Sequence, residues 1–376
     1  MILLTCDHQR RELASLKELK LTLENKGIKV KIINKHLTVK AYNLYKPKII
    51  TIPHCNNYLF NTVKNLHKKV KLIVLPSESS IFVDKFIEMI FLNKFENYSR
   101  KSNHNKADLI FTHSEYTSQI LKKKNSIKPD LCPSGFIHYE YWNNNKYINS
   151  NKNKNIGIAL TLVNPFMYYK NKNFLVNYYS VSEEIKYFKN PWRINEIALG
   201  LYYNTIIFEI LKNLPTNYKI NIRLHPLDID INWKKIFKNK KNISIDTQSE
   251  ISEWINNQDL IISTFSAINI DAYVFKKPHI SLINMIPKHI LDYSAYDAFS
   301  VKDYKETYSY KPKNMEELIK IIKRAKFKKN LIMNKKLKKY YKFPYKVSPV
   351  SAVANELEKE YKNTSYSFSP VKINKN

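Results

Sequence analysis

Five short polar stretches, each placed directly after an apolar run, carry the side chains of this sequence that are equipped for group-transfer chemistry. Arg223-Leu224-His225-Pro226 closes the run Lys219–Leu224. The proline bars a helix after the histidine, leaving an imidazole and a guanidinium at the end of the run. A lone histidine is commonly structural, but this placement suits contact with a phosphate or proton donation to a phosphate leaving group. Ser263-Thr264-Phe265-Ser266 lies between an apolar run and an amphipathic stretch. Hydroxyls and the unsatisfied N–H groups of a helix start bind an anion there without glycine, although Ser266 alone would read as an N-cap. Pro76-Ser77-Glu78-Ser79 offers a carboxylate that becomes a general base if desolvated and is an ordinary loop glutamate if exposed. In Asp7-His8-Gln9-Arg10-Arg11-Glu12, Arg11 is placed to grip an anion and Glu12 belongs to a first helical turn. In Pro133-Ser134-Gly135-Phe136, Gly135 permits a tight turn.

Other chemistries lose their warrant. The four glycines, Gly27, Gly135, Gly157 and Gly200, cannot spell GxGxxG or a Walker loop. Cys6, Cys55 and Cys132 are odd in number and lack CxxC spacing, so they read as reduced core thiols of a cytoplasmic protein. No metal site and no cofactor are expected. The net charge is +31, and only six of the 63 basic residues are Arg. Lys in such excess reads first as a solvated surface and counts against nucleic acid, which favours Arg; anionic lipid and phosphorylated substrates stay open. The apolar start is too short for a signal peptide, and nowhere do 18 apolar residues follow one another.

The elements that must hold these stretches alternate between short apolar runs and amphipathic segments, the pattern of a parallel sheet covered by helices. In the first third, strands are expected at Ile2–Thr5, Lys29–Ile33, Lys48–Ile52, Lys71–Leu75, Asp108–Thr112 and Asp130–Cys132. Helices are expected at Glu12–Asn25, Tyr58–Lys68, Val83–Phe95 and from Ser114 to Lys124. A polar linker at 143–155 separates domains at 1–142 and 156–340. A crossover segment and helix at 341–362 and a flexible tail at 363–376 follow. The second domain should carry strands at Ile156–Thr161, Lys219–Leu224, Ile243–Asp246, Leu260–Ser263 and His279–Ile283. Its helices should lie near Arg193–Asn213, Ile231–Lys238, Ile251–Asn256, Ser266–Phe275 and Met315–Lys326. The long aromatic stretch between them, up to Pro191, is expected to fold over something. In open α/β sheets ligands sit beyond the carboxyl ends of strands, where all five polar stretches fall.

With these residues assembled, the chain resembles the bacterial surface carbohydrate biosynthesis proteins. These are glycosyltransferase-B-like enzymes related in plan to the Kdo, polysialic acid and polyglycerol-phosphate transferases. The resemblance runs from Met1 to Tyr361 through RRELASLKELKLTLENKGIKVKIINK, KADLIFTHSEYTSQIL, PSGF, NYKINIRLHP, SEISEWINNQDLIISTFSAINIDAYVFKKPHISL and PKNMEELIKII. It implies two Rossmann-like doubly wound domains facing across a cleft, with a C-terminal helix returning to the first. It implies that Glu78 is the catalytic base, that His225 with Pro226 serves the donor phosphate or leaving group, and that Ser263, Thr264 and Ser266 hold donor phosphate. From their strand-end places, Arg223 and Pro226 are expected to join the donor phosphate or nucleotide site, and Asp7, Arg11 and Gly135 to line the cleft. Ser79 stands where the base motif has Gly, Ser77 where it has an acid, and Phe265 interrupts the hydroxyl run. The implied reaction moves a sugar or polyol phosphate from a nucleotide-activated donor to a surface glycan or its lipid-linked precursor. Basic side chains and a helix dipole would stand in for a metal. A nucleotide-sugar epimerase of the same fold and a basic nucleic-acid-binding protein are the alternatives. The expected place is the cytoplasm, with peripheral contact to the anionic inner membrane face through the Lys/Tyr/Phe segment before Val350.

Overall fold

Runs of Ile, Leu and Val too short for helices become the central strands of two all-parallel sheets. The computed structural model describes residues 1–53, 63–66, 69–76, 106–123, 128–142, 155–160, 191–224, 230–263, 268–287, 310–323, 346–366 and 368–371. In chain order the elements are β1 (Ile2–Cys6), α1 (Gln9–Glu24), β2 (Val30–Asn34), α2 (Thr38–Tyr45), β3 (Ile49–Ile52), β4 (Lys71–Val74), β5 (Leu109–Thr112), α3 (Glu115–Lys123), β6 (Asp130–Pro133), β7 (Asn155–Ala159) and α4 (Pro191–Asn213). Then come β8 (Lys219–Arg223), α5 (Asp230–Ile236), β9 (Ile243–Asp246), α6 (Ile251–Asn256), β10 (Leu260–Ser263), α7 (Ile268–Val274), β11 (His279–Ser281), α8 (Met315–Lys323) and α9 (Pro349–Asn363). The chain divides into one unit of 1–145 with 335–376 and a second of 146–334. The first boundary falls inside the stretch read as a linker.

The first unit holds a six-stranded sheet in the order β2-β1-β3-β4-β5-β6. Helices cover both faces, so β1, β3 and β5 are buried along their whole length, as parallel sheets require. One core lies between the sheet and α1, where Leu16, Leu19 and Leu23 meet Val350, Val353, Ala354 and Leu357 of α9. The other gathers Leu3, Ile50, Leu72 and Ile110 with Ala41 and Tyr42 of α2. The α9 residues repeat at helical intervals, and Ser348 caps the helix by accepting from the Ser351 N–H at 3.1 Å.

Two elements differ from the expectations. The helix α2, preceded by a 3-10 turn at Lys35–Leu37, was not expected. Its sequence, TVKAYNLY, opens with two β-branched residues, and it ends on Lys46 in the left-handed region (φ 48°) without the glycine that marks such an end. The stretch read as a flexible tail is docked as far as Val371. Asn43 exchanges two hydrogen bonds with the Val371 backbone (2.7 and 2.9 Å), Tyr42 donates to the Ser369 carbonyl (3.0 Å), and Phe368 packs on the Tyr42 ring. A single buried valine and a bidentate amide anchor make this polar segment a strap. The expected helix at Val83–Phe95, the expected helix at Tyr58–Lys68 apart from 63–66, residues 335–345 of the Lys/Tyr/Phe segment and the aromatic stretch before Pro191 lie outside the described residues.

The second unit has a five-stranded sheet ordered β11-β10-β7-β8-β9. Its core joins Ile156, Ile158, Ile220, Ile222, Leu260 and Ile262 to Tyr203, Ile207 and Ile210 of α4 and to Leu318 and Ile322 of α8. On the opposite face α6 lies very close to β7. A Cβ placed on Gly157 would stand 2.7 Å from Gln258 and 2.8 Å from the Trp254 ring, so only glycine fits there.

Candidate functional site

Numbered within its own unit, the second sheet reads 3-2-1-4-5. The chain leaves β7 toward β8 and β9, then returns on the other side as β10 and β11. This is the topology in which ligands occupy the crevice where the winding reverses, here between the ends of β7 and β10. The register sharpens the placement. Ile158 pairs with Ile222 on one side and with Ile262 on the other, and Ala159 pairs with Arg223. Arg223 and Ser263 therefore end their strands in the same row, one strand to either side of Ala159 and roughly 10 Å apart by strand spacing. His225-Pro226 and Thr264 to Ser266 continue from these two ends. Those residues, like Glu78 after β4, lie outside the described residues.

The two described members of the expected donor site carry structural duties. The Arg223 Nη1 donates to Asp246 at 2.6 Å and to the Ser249 carbonyl at 2.8 Å, and the guanidinium lies 5.7 Å from the Trp254 ring centroid. With 9% of its surface exposed, Arg223 is a strut tying β8 to β9 and to the start of α6. Ser263 is wholly buried, and its hydroxyl shares a 2.8 Å hydrogen bond with Nε2 of His279 on β11. His279 is pushed down to about 3, by burial first and by the charge of Lys311 second, so it is neutral at physiological pH. Both side chains point into the helix layer because residues in one row of a parallel sheet share a face. In this structure Arg223 and Ser263 brace the strand ends from which the loops depart.

At the rim of the first unit, Asp7 pairs with Lys35 and lies 3.6 Å from Arg11. Arg11 also reaches Glu12 at 3.0 Å. Glu12 is buried and accepts from the backbone N–H groups of Asp7 (2.7 Å) and His8 (3.2 Å), closing the first turn of α1 much as a capping-box residue does. Burial raises the Glu12 carboxyl, and the Arg11 charge opposes that rise. Gly135 takes a positive φ of 86° and donates to the Thr112 carbonyl, turning the chain so that Phe136 enters the core. Two residues on, His138 meets the Ser15 hydroxyl at 2.7 Å and is pushed down to about 3 by burial, then by Arg11 and His113. Sequence reasoning did not single out Lys35, Ser15, His138 or His279. The isolated histidines gave no spacing signal, and Lys35 is one lysine among many.

No group of three His, Cys, Asp or Glu side chains able to hold a metal occurs among the described residues. No family model and no curated protein matches the chain. Solved structures do. The wall teichoic acid polymerase TagF aligns with a TM-score of 0.56 at 13% identity, over 96% of this chain and 89% of that one. A co-structure of S. aureus MnaA with UDP aligns at 0.54 and 13% identity, over 98% and 99%. The UDP-GlcNAc 2-epimerase from Neisseria meningitidis bound to UDP-GlcNAc aligns at 0.53 and 12% identity, over 96% and 100%. The chain thus has the GT-B-type α/β fold, two parallel-sheet units in series. At this identity the likeness is one of fold, and the fold is one that both a polymerase and epimerases use.

Proposed function

We propose that the protein is a GT-B-type transferase that moves a sugar, or a polyol phosphate, from a nucleotide-activated donor to a surface glycan or its lipid-linked precursor. The observation that carries this reading is the row shared by Arg223, Ala159 and Ser263. It starts His225-Pro226 and Thr264 to Ser266 from strands on either side of β7, at the reversal of winding. In this reading the loop hydroxyls and the N–H groups before α7 take the donor phosphates, His225 protonates or binds the leaving phosphate, and Pro226 fixes its loop. Glu78 is the base that activates the acceptor. Arg11, held by Asp7 and Glu12, and the turn at Gly135 shape the rim of the first unit. No resident cofactor is needed: the nucleotide-sugar is a substrate.

A thermal-shift screen against CMP-, UDP-, GDP- and CDP-linked donors tests it. A donor at 100 times its Kd should stabilise by about 2.7 kcal/mol. His225→Ala with Ser266→Ala should abolish that shift, and Glu78→Gln should preserve it while lowering turnover by about 10²-fold. No shift with any donor, or full affinity in the double variant, overturns the assignment. The likeness to 2-epimerases supports a second reading, a nucleotide-sugar epimerase. Conversion of a donor in the absence of acceptor would select it.

A further inference from the structure

The 53 residues between Glu24 and Glu78 contain no Asp and no Glu, yet they contain eleven Lys and no Arg. This acid-free segment builds β2, at the edge of the first sheet, and α2 beside it. The helix buries Thr38, Ala41 and Tyr42 against the sheet. Its opposite side presents Leu37, Lys40, Leu44 and Tyr45 to solvent, with Leu37 53% and Leu44 65% exposed. Ammonium groups interleave with the rings: Lys31 stands 5.9 Å from the Tyr45 ring centroid, and Lys46 stands 5.1 Å from that of Phe368 in the docked strap. The chain after Glu360, which runs alongside, also lacks acidic residues.

Lysine on an edge strand has an ordinary use in deterring strand pairing, and that accounts for Lys31. It does not account for two leucines and a tyrosine held in water on a helix that has other residues for its core. A surface of protruding apolar side chains ringed by lysines, with no Asp or Glu in the segments that build it, is complementary to an anionic bilayer. The lysines meet the lipid phosphates, the tyrosine sits at headgroup depth, and the leucines reach the acyl boundary. The geometry points to the exposed side of α2, Leu37 through Lys46, as the surface by which this protein lies on an anionic membrane. Lysine without arginine and exposed leucines suit a lipid surface better than a nucleic acid. No helix among the described residues is long and apolar enough to cross a membrane, so the contact is peripheral. The inference stands independently of the donor and acceptor proposed above.

Flotation of the full-length protein with vesicles tests it, using three parts phosphatidylcholine to one part phosphatidylglycerol against phosphatidylcholine alone. At low salt the protein should float with the anionic vesicles and not with the neutral ones. Lys31→Gln, Lys40→Gln and Lys46→Asn together should lower the partition coefficient on the order of 10²-fold. Leu37→Ser, Leu44→Ser and Tyr45→Ser together should lower it about tenfold or more with the charge unchanged. All six side chains are exposed, so both variants should keep the parent Tm. Absence of flotation at low salt overturns the proposal, and so does flotation that neither variant weakens. Binding that ignores the leucines but is competed by a short RNA duplex would assign the surface to nucleic acid instead.

Discussion

His279 and Ser263 form a buried polar pair on adjacent strands, and the pair makes stability sensitive to pH in a defined window. The folded imidazole titrates at about 3, below the 6.5 of an exposed histidine, so on acidification the unfolded chain takes up a proton that the folded one refuses. Stability is full above about pH 6.5 and falls as pH drops toward 3, by up to about 1.4 kcal/mol per unit from this group. His138, also pushed down to about 3, adds a second contribution of the same sign. Urea midpoints measured from pH 7 to pH 4 should decline less steeply in His279→Asn than in the parent. Equal slopes would show that the ring is protonated in the fold. At this scale the sequence revealed which residues end strands and not where their side chains face. Arg223 and Ser263 were legible as strand-end polar residues, but their commitment to Asp246 and His279 depends on partners 23 and 16 residues away and on a shared row of the sheet.

Elements were legible where periodicity and punctuation agreed. The strands Ile243–Asp246 and Leu260–Ser263 and the helix Ile251–Asn256 have the expected ends because Asn, Asp, Gln and Ser flank each apolar run. The helix α9 shows its buried face at Val350, Val353 and Leu357. By contrast α2 has β-branched residues at its start and a lysine where glycine would end it, and the strap after α9 has only Tyr366, Phe368, Val371 and Ile373 among thirteen mostly polar residues. Tertiary contact, not local propensity, holds both in place, and the two hold each other through Asn43 and Val371. Two changes separate the contributions. Leu357→Ala, at a side chain with no exposed surface, should cost about 2–5 kcal/mol. Removal of residues 364–376 should cost less, because it withdraws one buried valine, the half-buried Phe368 ring on Tyr42 and the backbone groups that satisfy Asn43 and Tyr42. If chemical denaturation ranks truncation as the larger loss, the strap is a principal part of the core.

At the scale of the molecule, the two units differ in how they draw on the chain. The second is continuous: its sheet and its core come from residues between Asn155 and Lys323. The first is discontinuous, because Val350, Val353, Ala354 and Leu357 complete the core over α1, and Val371 enters the other core beside α2. The same segment ties down the amino-terminal edge of the sheet. The Met1 ammonium donates to the Tyr361 hydroxyl at 2.9 Å, Lys71 pairs with Glu360, and Lys26 pairs with Glu358 at 2.7 Å. A fragment of residues 146–334 should therefore unfold cooperatively by itself. A fragment of residues 1–145 should not, since it would leave the apolar face of α1 in water, at about 25 cal/mol per Å² of apolar surface left uncovered. Adding residues 335–376 as a separate chain should restore its cooperative transition, because four buried side chains and the edge contacts all lie within that piece. Circular dichroism melts of the two fragments, and of the first with its complement, make the comparison. Cooperative unfolding of residues 1–145 unaided would mean that α9 decorates a core already sufficient, and the returning helix would then have to be explained by something other than folding.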